Sequence, residues 1–183
     1  MASAFKLAPT PQWTLRYIQA LLANGQTDKA FTTAESWLKE HPQSHGFRRQ
    51  LADYYLNHGN YGRASRHYVR LADEEVADSE TLNNLAWALH QTDDAQALEY
   101  AERAVASADN NINAIDTLAW ILIDTGRDPR RGTELLRAVN DIPDALYPTM
   151  QYHLAVGLEK LGERRAAVNI LSGIVNNNHR FTD

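Results

Sequence analysis

A chain of 183 residues, 44% of them hydrophobic and 22% charged, is long enough to bury a substantial core. Its formal charge of −5 disfavours a nucleic-acid or anionic-membrane binder, and its lack of cysteine excludes disulfides, thiol catalysis and thiolate metal sites. The longest apolar run, near Leu118–Ile123, is far short of the roughly 20 residues that span a bilayer, and MASAFKLAPTP has no apolar stretch of signal-peptide type.

In chain order, FKLAPTPQ reads as the end of a helix followed by a proline turn, so residues 1–10 are expected to be the tail of a preceding repeat or an appended segment. A helical pattern then runs to Gly25 in NGQTDKA, where glycine supplies the left-handed turn after a helix. A second helix follows on Ala30, Ala34 and Trp37 and stops at Pro42; Trp13 and Trp37 are both expected in the core. The next pair carries Leu51-Ala52 and Tyr55, turns at Gly59, and continues on Ala64, Tyr68 and Leu71. In the third, LNNLAWAL at 82–89 is followed not by glycine but by Gln91-Thr92-Asp93-Asp94, whose carboxylates suit a helix cap, and then by Ala97, Ala101 and Ala104. The fourth holds IDTLAWIL at 115–122, turns at Gly126, and gains a residue near Pro129, which is expected in the first turn of its second helix. The fifth has Tyr152-His153-Leu154-Ala155, Gly162, and Ala167, Leu171 and Ile174. The apolar spacing is helical throughout, without strand alternation.

Trp87 and Trp120 are 33 residues apart, Leu51 precedes Leu85 by 34, and Leu154 follows Leu118 by 36. The leucine, small, large apolar and alanine positions of this unit resemble the tetratricopeptide-repeat pattern over nearly the whole chain. The resemblance implies an all-α, right-handed α-solenoid of antiparallel helix pairs, with about five repeats at 11–44, 45–78, 79–111, 112–147 and 148–178 in one domain, and 179–183 as a C-terminal tail. Alanines allow close helix contacts, and each hairpin buries its apolar face only by stacking on its neighbours. The final NNNHRFTD is not a polar capping helix, so the segment is expected to come from a longer array.

The family resemblance further implies that positions 2, 5, 9, 12 and 13 of each first helix line a concave groove. The candidate partner-binding residues are then Arg49, Asp53, Asn57, Asn83, Trp87, His90, Gln91, Asp116, Trp120, Asp124, Tyr152 and Glu159, with Trp87 and Trp120 as two stacked indoles. Indoles rimmed by amides and carboxylates suit peptide side chains and the C–H faces of sugars; packing between first helices is the competing role. Acidic side chains among Arg49, Asp53, Asn83 and Asp116 argue against a carboxylate clamp. Arg63, Arg66 and Arg70, with His67 beside them, form a stripe expected to be a solvated helix face. His41 and His45 are separated by Pro42 and a turn, and no catalytic or nucleotide-binding signature occurs, so no enzyme, cofactor or metal is expected.

The leading expectation is a non-catalytic scaffold that holds a protein or peptide partner along the groove, without binding nucleic acid or inserting into a membrane. NLAWAL, ALEYAERAV, IDTLAWIL and the later YHLAVGLEKLG resemble the C-terminal repeats of bacterial exopolysaccharide-system tetratricopeptide proteins. That likeness implies a periplasmic or outer-membrane-associated setting; a cytoplasmic one is the alternative. Direct polysaccharide binding by the tryptophans and homo-oligomerisation through terminal repeats are the alternative functions.

Overall fold

The computed structural model describes residues 10–108, 111–140 and 147–176. All ten regular elements among them are α-helices. They form antiparallel hairpins joined by short turns, the architecture of an α-solenoid, and they divide into two compact units at Ala77–Asp78. Of the expected tails at 1–10 and 179–183, residues 1–9 and 179–183 lie outside the described residues, and Thr10 caps α1.

The first unit holds α1 (Pro11–Ala23), α2 (Thr27–Glu40), α3 (His45–Asn57) and α4 (Tyr61–Asp73). Helix α1 opens with Pro11 in its first turn, where the missing N–H costs nothing, and the Thr10 hydroxyl accepts the Trp13 amide. Ala30, Ala34, Ala52 and Ala64 have no solvent exposure, and these small side chains let the paired helices approach. Trp37 is buried, but Trp13 is not: it is 65% exposed, beneath the Arg16 guanidinium. The buried stripe of α1 is Thr14-Ile18-Leu21, and Trp13 lies one residue, about 100°, off it.

The second unit holds α5 (Ser79–His90), α6 (Ala97–Ala106), α7 (Ile112–Asp124), α8 (Pro129–Asn140), α9 (Pro148–Lys160) and α10 (Arg164–Asn176). Asp78 and Asn111 cap α5 and α7 through the amides of Thr81 (2.8 Å) and Ala114 (3.2 Å). The Ser79 hydroxyl donates to the Ala104 carbonyl at 2.8 Å and accepts from the Asn111 amide at 2.8 Å, tying three helices together. The core gathers Ala119, Ile123, Leu136, Leu154, Ala155, Leu158 and Ala167. Gly132 and Gly157 complete it by absence: a Cβ on Gly132 would lie 2.6 Å from the Ala119 carbonyl oxygen, and one on Gly157 would strike Thr133 and Ile123. Pro129 begins α8, with the Asp128 carboxylate accepting the Arg131 amide. In α10, Ala167 and Ile174 are buried, whereas Leu171 is exposed; among the described residues no later helix packs against that side.

The turn inside each helix pair uses one left-handed residue. Gly25, Gly59, Gly126 and Gly162 have φ of 70°, 69°, 68° and 82°, and Asp93 takes the same place in the third pair with φ 55°. Its amide reaches the His90 carbonyl as that of Gly126 reaches Ile123. Asp94 accepts the Gln96 amide at 2.9 Å, one residue before α6 begins. Left-handed geometry is strained for a residue with a Cβ. Asp93→Gly is therefore expected to stabilise the fold by about 0.5–1 kcal/mol, read as a higher thermal midpoint, and an unchanged or lower midpoint would contradict the assignment.

Candidate functional site

In the second unit, the first helix of each pair, α5, α7 and α9, packs beside the next. Nine of the candidate residues lie on these three helices or at their ends. Asn83, Trp87, His90, Asp116 and Trp120 are half-buried, and Gln91, Asp124, Tyr152 and Glu159 are exposed. The remaining three stand on α3 in the first unit, where Arg49 and Asn57 are exposed and Asp53 is half-buried. Asp53 accepts the hydroxyl of the core residue Tyr68 at 2.6 Å, which places its carboxylate in a hairpin cross-link between α3 and α4.

The two indoles do not serve as each other's stacking partners. Trp120 stacks on the His153 ring of α9, with centroids 4.2 Å apart and planes 22° apart, and Tyr152 adds a tilted contact at 6.2 Å. Trp87 meets His90 on its own helix at 6.0 Å and 50°. Offset and tilted geometries of this kind add about 0.5–1.5 kcal/mol to the area the rings bury. The tryptophans thus take part in packing while keeping part of their surface open to solvent.

Two histidine–carboxylate pairs link the first helices. His90 Nε2 lies 3.2 Å from Asp124 Oδ2 between α5 and α7, and His153 Nδ1 lies 2.8 Å from Asp116 Oδ1 between α7 and α9. Lys160 donates to the carbonyls of Ile123 (2.6 Å) and Asp124 (3.2 Å), placing a cation at the C-terminus of α7, where the helix dipole favours it. His153 and Lys160 were outside the sequence-derived set. His153 directly follows Tyr152, and its role depends on a rotation of α9 that buries the imidazole. Asn83 adds a buried side-chain oxygen without a hydrogen-bond partner on the same helix as Trp87.

The resulting surface offers aromatic faces from Trp87, Trp120 and Tyr152 and carboxylates at Asp124 and Glu159. Aromatic faces beside polar side chains are a composition that protein interfaces share. Among the described residues no group of three histidine or acidic side chains could hold a metal ion, and no helix is long and apolar enough to cross a membrane.

Comparison with known proteins bears on the fold. The family model described as "Tetratricopeptide repeat" matches residues 11–54. No curated protein matches the chain at a significant level. Among solved structures, YrrB, described as a tetratricopeptide-repeat protein with an unusual peptide-binding site, is similar with a TM-score of 0.70 and 15% identity, over 97% of this chain and 91% of its own. MamA from Desulfovibrio magneticus RS-1 is similar with a TM-score of 0.72 and 17% identity, over 91% of this chain and 93% of its own. The pilF protein of Pseudomonas aeruginosa is similar with a TM-score of 0.67 and 16% identity, over 93% of this chain and 78% of its own. The chain therefore has the tetratricopeptide-repeat fold, with residues 11–54 matching the family's own sequence model.

Proposed function

We propose that the chain is a non-catalytic scaffold that holds a peptide segment of a partner protein against the first-helix surface, with Trp87, Trp120 and Tyr152 as its anchors. The observation that carries this reading is the half-buried state of both indoles beside an exposed tyrosine, on helices that a repeat fold places side by side. A fully packed spacer would bury these rings, whereas a fixed, partly open aromatic surface binds with little loss of side-chain freedom. The peptide-binding site named for YrrB, which shares the fold, supports the same class of ligand. An exopolysaccharide synthesis or export assembly is the proposed setting, supported by the sequence likeness around the two LAW motifs.

Selection of a displayed peptide library on the chain, followed by fluorescence anisotropy of the selected peptides, tests the reading. Trp87→Ala with Tyr152→Ala is expected to weaken binding by about tenfold or more while leaving helical circular dichroism intact. Equal affinity of the folded variant and the parent would end the proposal. Binding of oligosaccharides but of no peptide would favour the glycan-binding alternative, and aromatic loss compensated by self-association would favour an oligomerisation module.

A further inference from the structure

A second surface lies in the first unit, on the other helix of each pair. The arginine stripe of α4, exposed at Arg66 and Arg70, also lines a cleft. Arg63, Arg66 and Arg70 line one wall of an open cleft of about 760 Å³, α2 forms the other with Phe31, Glu35 and Lys39, and Arg48 of α3 contributes from below. Five permanent cations line this cleft against a single carboxylate, Glu35. Residues 1–77 carry nine basic and seven acidic side chains, so the acidic excess of the chain resides in the second unit.

The cations are only partly satisfied. Arg63 lies flat on Phe31, 3.4 Å from the ring centroid, an arrangement that fixes the guanidinium without neutralising it. Arg66 spends its Nε–H on the Gly62 carbonyl at 3.1 Å. Arg48 has one long hydrogen bond, to the Pro42 carbonyl at 3.4 Å, and its buried Nε–H has no partner. Arg70 is paired with Glu74. These contacts leave guanidinium charge that an incoming carboxylate would neutralise. The buried His67 reports the same field: desolvation, reinforced by Arg48, Arg66 and Arg63, pulls its pKa down to about 4.

We propose that this cleft binds an acidic segment of a partner protein, whose carboxylates pair with Arg48, Arg63 and Arg66. Guanidinium forks match carboxylates in geometry as well as charge. A short acidic peptide fits a local basic cleft, whereas a long polyanion such as a nucleic acid would extend over a chain whose net charge is −5.

The test is fluorescence anisotropy with a labelled peptide of alternating glutamate and glycine, against the same peptide with glutamine for glutamate. The glutamate peptide is expected to bind and to weaken steeply with added salt, and the glutamine peptide is expected not to bind. Arg66→Gln with Lys39→Gln, both exposed and therefore tolerated by the fold, should weaken binding by about tenfold. Glu35→Gln, which removes the one opposing charge, should tighten it severalfold, a gain that misfolding cannot imitate. Equal binding of both peptides, no response to either variant, or tighter binding of an oligothymidylate than of the peptide would overturn the proposal, as would loss of the peptide signal to self-association of the chain in sedimentation.

Discussion

Gly132→Ala is expected to destabilise the second unit by about 3 kcal/mol, although glycine to alanine in the middle of an exposed helix ordinarily gains about 1 kcal/mol. The reversal comes from the contact between α7 and α8. The new methyl carbon would stand 2.6 Å from the Ala119 carbonyl oxygen and 2.8 Å from Ile123 Cγ1. Ile123 has no solvent exposure in a close-packed interior, and a helix carbonyl cannot rotate away without breaking its own hydrogen bond. The helices must separate, and the cluster of Leu136, Leu154 and Leu158 loosens with them. Urea unfolding followed by circular dichroism measures the change. Gly173→Ala is the control, because a Cβ there meets nothing within 4 Å, and it should be neutral or stabilising. Equal effects of the two substitutions would refute the close-contact account.

Acid is expected to weaken the first unit through His67 by about as much. Its ring is buried, stacked on Tyr55 at 5.5 Å with planes 11° apart, and faced by Arg48, Arg63, Arg66 and the exposed Glu35. The folded pKa of about 4 lies below the ordinary 6.5. Between those values the unfolded chain takes up a proton at this site and the folded chain does not, so stability falls as pH drops. The loss begins near pH 6.5 and reaches about 3 kcal/mol below pH 4. Amide exchange in α4 at pH 7 and pH 4.5 would show it directly. His67→Phe should remove this component of the acid sensitivity; a variant with an unchanged pH profile would rule it out.

The helical periodicity was legible because it depends on residue size at fixed intervals, and the LAW motifs, the alanines and the turn glycines all carry it. The third turn was legible only in position. Asp93 does what glycine does elsewhere, and its conformation cannot be inferred from a carboxylate that equally suits a cap. Side chains whose partners lie far along the chain were the least readable. His153 meets Asp116 across 37 residues, and Arg48 reaches a cleft whose other walls come from α2 and α4. Such meetings depend on the rotation of one helix relative to another, which the apolar pattern fixes only to within a residue or so. Trp13 shows the same limit: one step along α1 separates a core position from an exposed one.

The histidine–carboxylate joints of α5, α7 and α9 bear on any redesign of this surface. His90 with Asp124 and His153 with Asp116 each span two consecutive hairpins, and the second also supports Trp120. The groups that hold these hairpins at their spacing therefore stand beside the aromatic side chains proposed to meet a ligand, and are not the same side chains. Exchanging one of these joints would move the helices that present the aromatic rings. A redesign of this surface would therefore keep the two joints and vary Trp87 and Tyr152, which take no part in them.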